Sequence, residues 1–220
     1  MSAALLVFDF DGLILDTEVP EFQCWQEIYE AHGARLALET WAHCIGTANV
    51  FDPWAHLAGQ IGRPLDLAAL HPTRERRMRE LIAAQEVRPG VPAYLDDAAA
   101  LGLRVGVASS SSRQWVGGHL ARLGLIERFH AIRCADDVEQ VKPDPALYRA
   151  VCDALGVDPR HAIALEDSPN GILAAKRAGM RCVAVPNPLT AQLDLSAADL
   201  RLDSLADLPL SELLKKLGQP

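Results

Sequence analysis

From Arg88-Pro89-Gly90 onward the chain switches back and forth between two hydrophobic periods, and that alternation leaves few folds open. A helical stretch (91–101) leads to the strand-like LRVGVA (103–108). A second helical stretch leads to AIRCA (131–135), a third (145–155) to HAIAL (161–165), and a fourth (170–178) to RCVAV (181–185). LLVF (5–8) is one more continuous apolar run of strand length. Runs without polar alternation suit strands buried on both faces. Strands separated by helices imply βαβ units, and right-handed crossovers then make a parallel, doubly wound, Rossmann-like α/β sheet the expected core.

Residues 17–86 read differently. In EFQCWQEIYEAHG, Phe22, Trp25 and Tyr29 recur at helical spacing and Gly33 marks a stop. Further helical patterns cover roughly 37–44, 50–60 and 73–85, with Met78, Leu81, Ile82 and Gln85 on one face of the last. No strand-like run interrupts this stretch, so it is expected to be an all-helical insert (17–86) in a core made of 1–16 and 87–220. A chain of 220 residues accommodates such a division.

Three apolar runs end in polar groups. After LLVF come Asp9-Phe10-Asp11 and Gly12; after VGVA come Ser109 and three more serines; after HAIAL come Glu166, Asp167 and Ser168. In open α/β sheets, ligands bind beyond the carboxyl ends of the strands. Asp9 and Asp11 stand at i and i+2, which on a strand points them the same way. With Glu166 or Asp167, three or four carboxylates are expected to converge, an unfavourable cluster unless protonated or neutralised. All-oxygen ligands favour a hard cation such as Mg2+. Lys142, in a turn before a helix (VKPDPALY), the Ser109 hydroxyl and the N–H groups after it suit an anion. A cation, a lysine and a hydroxyl cradle together suit a phosphoryl group. Taken singly, each piece also fits a plainer role: Asp9, Asp11 and Gly12 as a turn, Ser111 and Ser112 as helix caps, Glu166 and Asp167 as first-turn acids.

The segments DFDGLILDTE, VASSS, VKPDPALY and LEDSPNGI resemble, in order, the four motifs of the haloacid dehalogenase superfamily, within it the β-phosphoglucomutase-like phosphatase branch. The resemblance covers nearly the whole chain, including a helical cap inserted after the first strand. It implies that Asp9 is a nucleophile forming an aspartyl-phosphate and that Asp11 is general acid, then base. It implies that Ser109, Ser110 and Lys142 bind the phosphoryl group. Asp9, the Asp11 backbone carbonyl and Asp167 would hold Mg2+, with Glu166 close behind. Cap residues Glu18, Gly46, Asn49 and Arg74 would set specificity, and hinges would lie near 15–17 and 85–89. Trp25 and Trp54 are expected in the cap core, and the run RERRMR (74–79) as a solvated face from which Arg74 alone reaches substrate.

The expected function is an Mg2+-dependent phosphatase acting on a sugar phosphate or similar small phosphorylated metabolite. A dehalogenase or phosphonatase is disfavoured, because relatives that cleave those bonds lack an acid two residues after the nucleophile. A mutase needs a second phosphate site. Mutases of this branch carry a histidine on the first cap helix and an arginine on a cap loop, where this chain has Glu21 and IGTANVF (45–51). A catalytically silent binding module is the alternative of another class, opposed by the filled catalytic positions. The formal charge of -8 argues against a nucleic-acid partner or an anionic membrane. No run approaches the roughly 18 apolar residues of a membrane span. The start lacks the basic region of a signal peptide. Cys24, Cys44, Cys134, Cys152 and Cys182 form no C-x-x-C pair, which suits reduced thiols in the cytoplasm. The sequence does not set an oligomeric state, and a monomer is consistent with it.

Overall fold

The computed structural model describes residues 3–42, 45 and 51–218. Strand β1 (Leu5–Phe8) is followed by helices α1 (Glu18–Ala31), α2 (Leu38–Trp41), α3 (Pro53–Ile61) and α4 (Leu67–Ala83). The alternating part then runs α5 (Val91–Ala100), β2 (Arg104–Ala108), α6 (Arg113–Arg122), β3 (Ala131–Arg133), α7 (Ala146–Leu155), β4 (Ala162–Glu166), α8 (Pro169–Ala178) and β5 (Arg181–Ala184). It closes with β6 (Leu200–Arg201) and α9 (Leu210–Lys216).

The strands form one parallel sheet in the order β3-β2-β1-β4-β5-β6, a doubly wound α/β fold. Period-2 geometry sends alternate residues of β1 to opposite faces. Leu6 and Phe8 join Tyr94, Leu95, Leu120 and Leu210 on one side. Leu5 and Val7 join Leu147, Val151, Ile172 and Ala175 on the other. Each such side chain, fully buried, contributes about 1.5–3 kcal/mol before entropy is set against it. Phe8 pairs with both Val107 and Leu165, so Asp9, Ala108 and Glu166 stand level at the carboxyl edge.

A third apolar cluster belongs to the helical segment: Trp25, Tyr29, Leu36, Trp41 and Leu57, with Leu189 packed on it from the other part of the chain. The two strands of chain that join the segments run side by side, with Leu15 bridged to Val87 and the Arg88 N–H donating to the Ile14 carbonyl at 2.9 Å.

Element limits differ from the sequence pattern where caps decide them. Helix α4 starts six residues before the expected Thr73, because the Asp66 carboxylate caps it by accepting from Ala69 N; Pro72 lies inside it. Helix α3 starts at Pro53, not residue 50, under the Asp52 cap, and ends at Gly62 in the left-handed region. Helix α2 is four residues long where eight were expected. The two-residue edge strand β6 and helix α9 had no clear sequence pattern.

Candidate active site

The floor of the site is a set of buried polar residues at the carboxyl edge of the sheet. Asp9 follows β1 and is 4 % exposed; Lys142, before α7, and Asp167, after β4, are 1 % exposed; Glu166 at the end of β4 is fully buried. Lys142 Nζ donates to Asp9 Oδ1 at 2.5 Å and to Glu166 Oε1 at 2.6 Å. Glu166 Oε1 also accepts from the Tyr148 hydroxyl at 2.6 Å, and the lysine ammonium lies 5.2 Å from the Tyr148 ring centroid. Glu166 Oε2 accepts from Asp167 N, Ser168 N and Ser168 Oγ at 3.1–3.3 Å. Gly171 in the first turn of α8 makes room for this carboxylate, since a Cβ there would stand 1.8 Å from Glu166 Oε1.

One oxygen from each of Asp9, Glu166 and Asp167 lies within 4.8 Å of the others. Asp167 Oδ2 accepts from Asn187 Nδ2 at 2.9 Å, while Oδ1 is buried with no hydrogen-bond partner among the described residues. A buried carboxylate oxygen without a donor is costly. Gly12 crosses directly above at φ 81°, and a Cβ there would come 2.1 Å from Asp167 Oδ2. The charges express the same strain. Burial, with Glu166 and Asp11 adding, pushes the Asp9 carboxyl up to about 8 against the pull of Lys142. Burial, then Asp9 and Glu166, push Asp167 well above the usual carboxylate range. Burial works against the Lys142 ammonium, but Asp9 and Glu166 overcome it and hold its pKa above the ordinary value. One lysine does not neutralise three buried carboxylates, and an all-oxygen donor set with one unpartnered oxygen fits a hard divalent cation.

Asp9 and Asp11 both line one cavity, the common side expected of their spacing. The Asp11 carboxylate is not among the three that converge, so the cluster has three members. The backbone turns at Gly12, whose N–H donates to Leu15 O at 2.8 Å. Asp11 Oδ1 accepts from Thr17 Oγ1 at 2.9 Å and Trp115 Nε1 at 2.8 Å. Asp11 Oδ2 accepts from Ser109 Oγ at 3.2 Å and Ser111 Oγ at 2.7 Å. Ser111 therefore serves Asp11 instead of capping a helix, and Ser112 alone caps α6 through Trp115 N.

Above the floor lies a cavity of about 520 Å³. Asp9, Asp11, Ser110 and Lys142 form its base; Glu18, Glu21 and Arg74 line its far side. Burial and neighbouring carboxylates push the Glu18 carboxyl well above its ordinary value. Trp25 and Trp54, expected as cap core, do pack in the apolar cluster of the helical segment, and both also line the cavity. Arg74 turns inward from the basic run, Arg77 pairs with Glu27 at 2.8 Å, and Arg79 stays exposed. Gly46 and Asn49 lie outside the described residues.

Four further residues bear on the site. Asn187 follows the apolar run of β5 at the same sheet edge, a signal like the other three strand ends. Tyr148 lies within VKPDPALY, where its apolar neighbours give no sign of a polar role. Trp115 has no local signal. Arg88 donates to the Gly12 carbonyl, to Val185 O at 3.1 Å and to Pro186 O at 2.7 Å, tying the first turn to the end of β5.

The haloacid dehalogenase-like hydrolase family profile matches residues 6–185. YhcW of Bacillus subtilis (strain 168), whose name designates it a candidate phosphatase, is 50 % identical over 213 residues, 97 % of each chain. Validoxylamine A 7'-phosphate phosphatase of Streptomyces hygroscopicus subsp. limoneus is 30 % identical over 201 residues, covering 91 % of this chain and 93 % of that one. Among solved structures, a CbbY variant from Rhodobacter sphaeroides in complex with xylulose-1,5-bisphosphate superposes with a TM-score of 0.76 at 32 % identity, over 97 % of this chain and 99 % of that one.

Proposed function

This chain belongs to the haloacid dehalogenase-like hydrolase family, as one of its phosphatases, and we propose that it hydrolyses small phosphomonoesters, sugar phosphates or similar metabolites, with Mg2+ and through an aspartyl-phosphate on Asp9. The observation that carries the reading is the floor itself: a buried carboxylate trio with an unpartnered oxygen, a lysine between two of its members, and a fourth carboxylate held apart on the cavity base.

Asp9 and Asp167, with the Asp11 backbone carbonyl, would hold the cation, and Glu166 stands behind them. The bound cation supplies positive charge against the phosphoryl oxygens and the nucleophilic carboxylate. The chain's own residues do the rest. An Asp9 carboxylate oxygen forms the bond to phosphorus as the ester P–O bond breaks. Asp11 gives its proton to the departing oxygen, then takes one from the water that attacks phosphorus and frees Asp9. Lys142, Ser109 and Ser110 hold phosphoryl oxygens; Glu166 and Tyr148 keep Lys142 aimed at Asp9. Residues 17–86 act as a cap that excludes bulk water, hinged where Leu15 pairs with Val87. No described helix is long and apolar enough to cross a membrane. Cys24, Cys134, Cys152 and Cys182 are buried free thiols, which suits the cytoplasm.

The test is phosphate release from a panel of phosphomonoesters with Mg2+ and with EDTA, alongside Asp9→Asn. Release should need the metal and fall about 10³-fold or more in the variant, as expected on losing a nucleophile. Undiminished release in either arm would overturn the mechanism.

A further inference from the structure

Arg74 and Lys142 are the only lysine or arginine side chains among the described residues lining the cavity, and Lys142 sits at its base with Asp9 and Glu166. Among the described residues the far side therefore has one fixed cation, and that cation is already engaged. Arg74 Nη2 donates to Glu21 Oε1 at 2.5 Å, and the guanidinium lies 4.6 Å from the Trp25 ring centroid. Its Nε–H is buried and has no partner among the described residues, so it stays able to donate while the charge is met by Glu21. Glu18 stands on the same side, with the carboxylates of Glu21, Asp11, Asp9 and Asp16 as charged neighbours. Much of the remaining surface is aromatic. All four tryptophans of the chain, Trp25, Trp41, Trp54 and Trp115, line the cavity.

Each element of this wall favours the same kind of leaving group. Indole faces accept the CH faces of a sugar or polyol. Carboxylates and guanidinium N–H groups suit hydroxyls. A second phosphate or a carboxylate on the substrate would have to take Arg74 from Glu21 in a partly buried place and leave the Glu21 carboxylate without its cation. We propose that this site selects monophosphates of neutral, hydroxylated leaving groups and rejects substrates with a second anionic group, with Glu21 as the specificity-determining residue that occupies Arg74. This inference rests on the phosphatase reading and narrows it.

The experiment compares kcat/KM for fructose 6-phosphate and fructose 1,6-bisphosphate, with p-nitrophenyl phosphate reporting phosphoryl transfer as such. The unaltered protein should favour the monophosphate. Glu21→Gln, which leaves Arg74 its charge, should move the ratio toward the bisphosphate about tenfold, the scale of one charge interaction. Arg74→Gln added to it should reverse that gain. A preference of the unaltered protein for the bisphosphate overturns the proposal without any variant being needed. So does a ratio that Glu21→Gln leaves where it was. Hydrolysis of p-nitrophenyl phosphate in those cases leaves the phosphatase reading standing; no hydrolysis of any of the three esters overturns that reading and this one together.

Discussion

The floor and the wall of the cavity are built in opposite ways. On the floor, Asp9, Lys142, Glu166 and Asp167 are at most 4 % exposed, and both oxygens of Glu166 are saturated by five donors. These groups sit at or just beyond strand ends whose register is set by the sheet, apart from Lys142, which α7 and Glu166 hold in place. On the wall, Trp25, Trp54 and Arg74 come from three separate helices and meet through ring contacts and one ion pair that is 21 % exposed at Arg74 and 35 % at Glu21. A buried network of charges tolerates no missing member, because each removal strands its partner. A wall of aromatic faces tolerates change, because dispersion contacts are many and individually small. Under the proposed function, the chemistry falls to the floor and the choice of substrate to the wall.

The largest expected break is at Lys142. Lys142→Met leaves Asp9 and Glu166 without their shared cation. Phosphate release should fall about 10²–10³-fold, as on losing one preorganised donor. In metal-free buffer the variant should lose about 3–5 kcal/mol of stability, the usual cost of breaking a buried pair, read by urea unfolding. Equal stability would mean that the floor carboxylates are already protonated and need no lysine.

Gly12→Ala should act more locally. The added Cβ would sit 2.1 Å from Asp167 Oδ2 at a φ of 81°, which L side chains rarely adopt. Strain of about 1–3 kcal/mol is expected. Displacement of Asp167 should weaken Mg2+ binding about 10–100-fold, as altered support of a ligand does. Titration calorimetry with Mg2+ checks it; unchanged affinity would remove Asp167 from the metal site.

The smallest effect probes the wall. Folding raises the Glu18 pKa, chiefly by burial. The folded state therefore keeps a proton that the unfolded chain releases above about 4.5. Its stabilising contribution is full below that value and is lost as pH rises through the folded pKa. Glu18→Gln, which mimics the protonated form, should match the unaltered protein near pH 4 and exceed it at pH 8 by a few degrees in Tm, at about 2–4 °C per kcal/mol for a chain of this size. A difference that does not grow with pH would show that Glu18 ionises freely in the fold.

Much of the floor was legible because strand ends are local. Asp9, Ser109, Glu166 and Asp167 each follow an apolar run, and a parallel sheet brings such ends to one edge whatever the intervening lengths. Asn187, after the fifth run, was open to the same argument. Lys142 had motif spacing to mark it. The partners of Asp11 were not legible from period-2 reasoning, because its four donors come from residues 17, 109, 111 and 115, which only the fold brings together. Helix limits in the cap moved with the Asp52 and Asp66 caps, which the hydrophobic period does not report.

The sequence by itself determined the α/β core, the helical segment after β1 and the acidic character of the strand ends that make the floor, since apolar period and residue chemistry are properties of short segments. Only the tertiary structure decided that Trp115 donates to Asp11, that all four tryptophans share one cavity, and that Arg74 is held by Glu21, 53 residues away in the chain. Such pairings depend on how helices cross and which rotamers their packing leaves, and no local pattern in the chain encodes them.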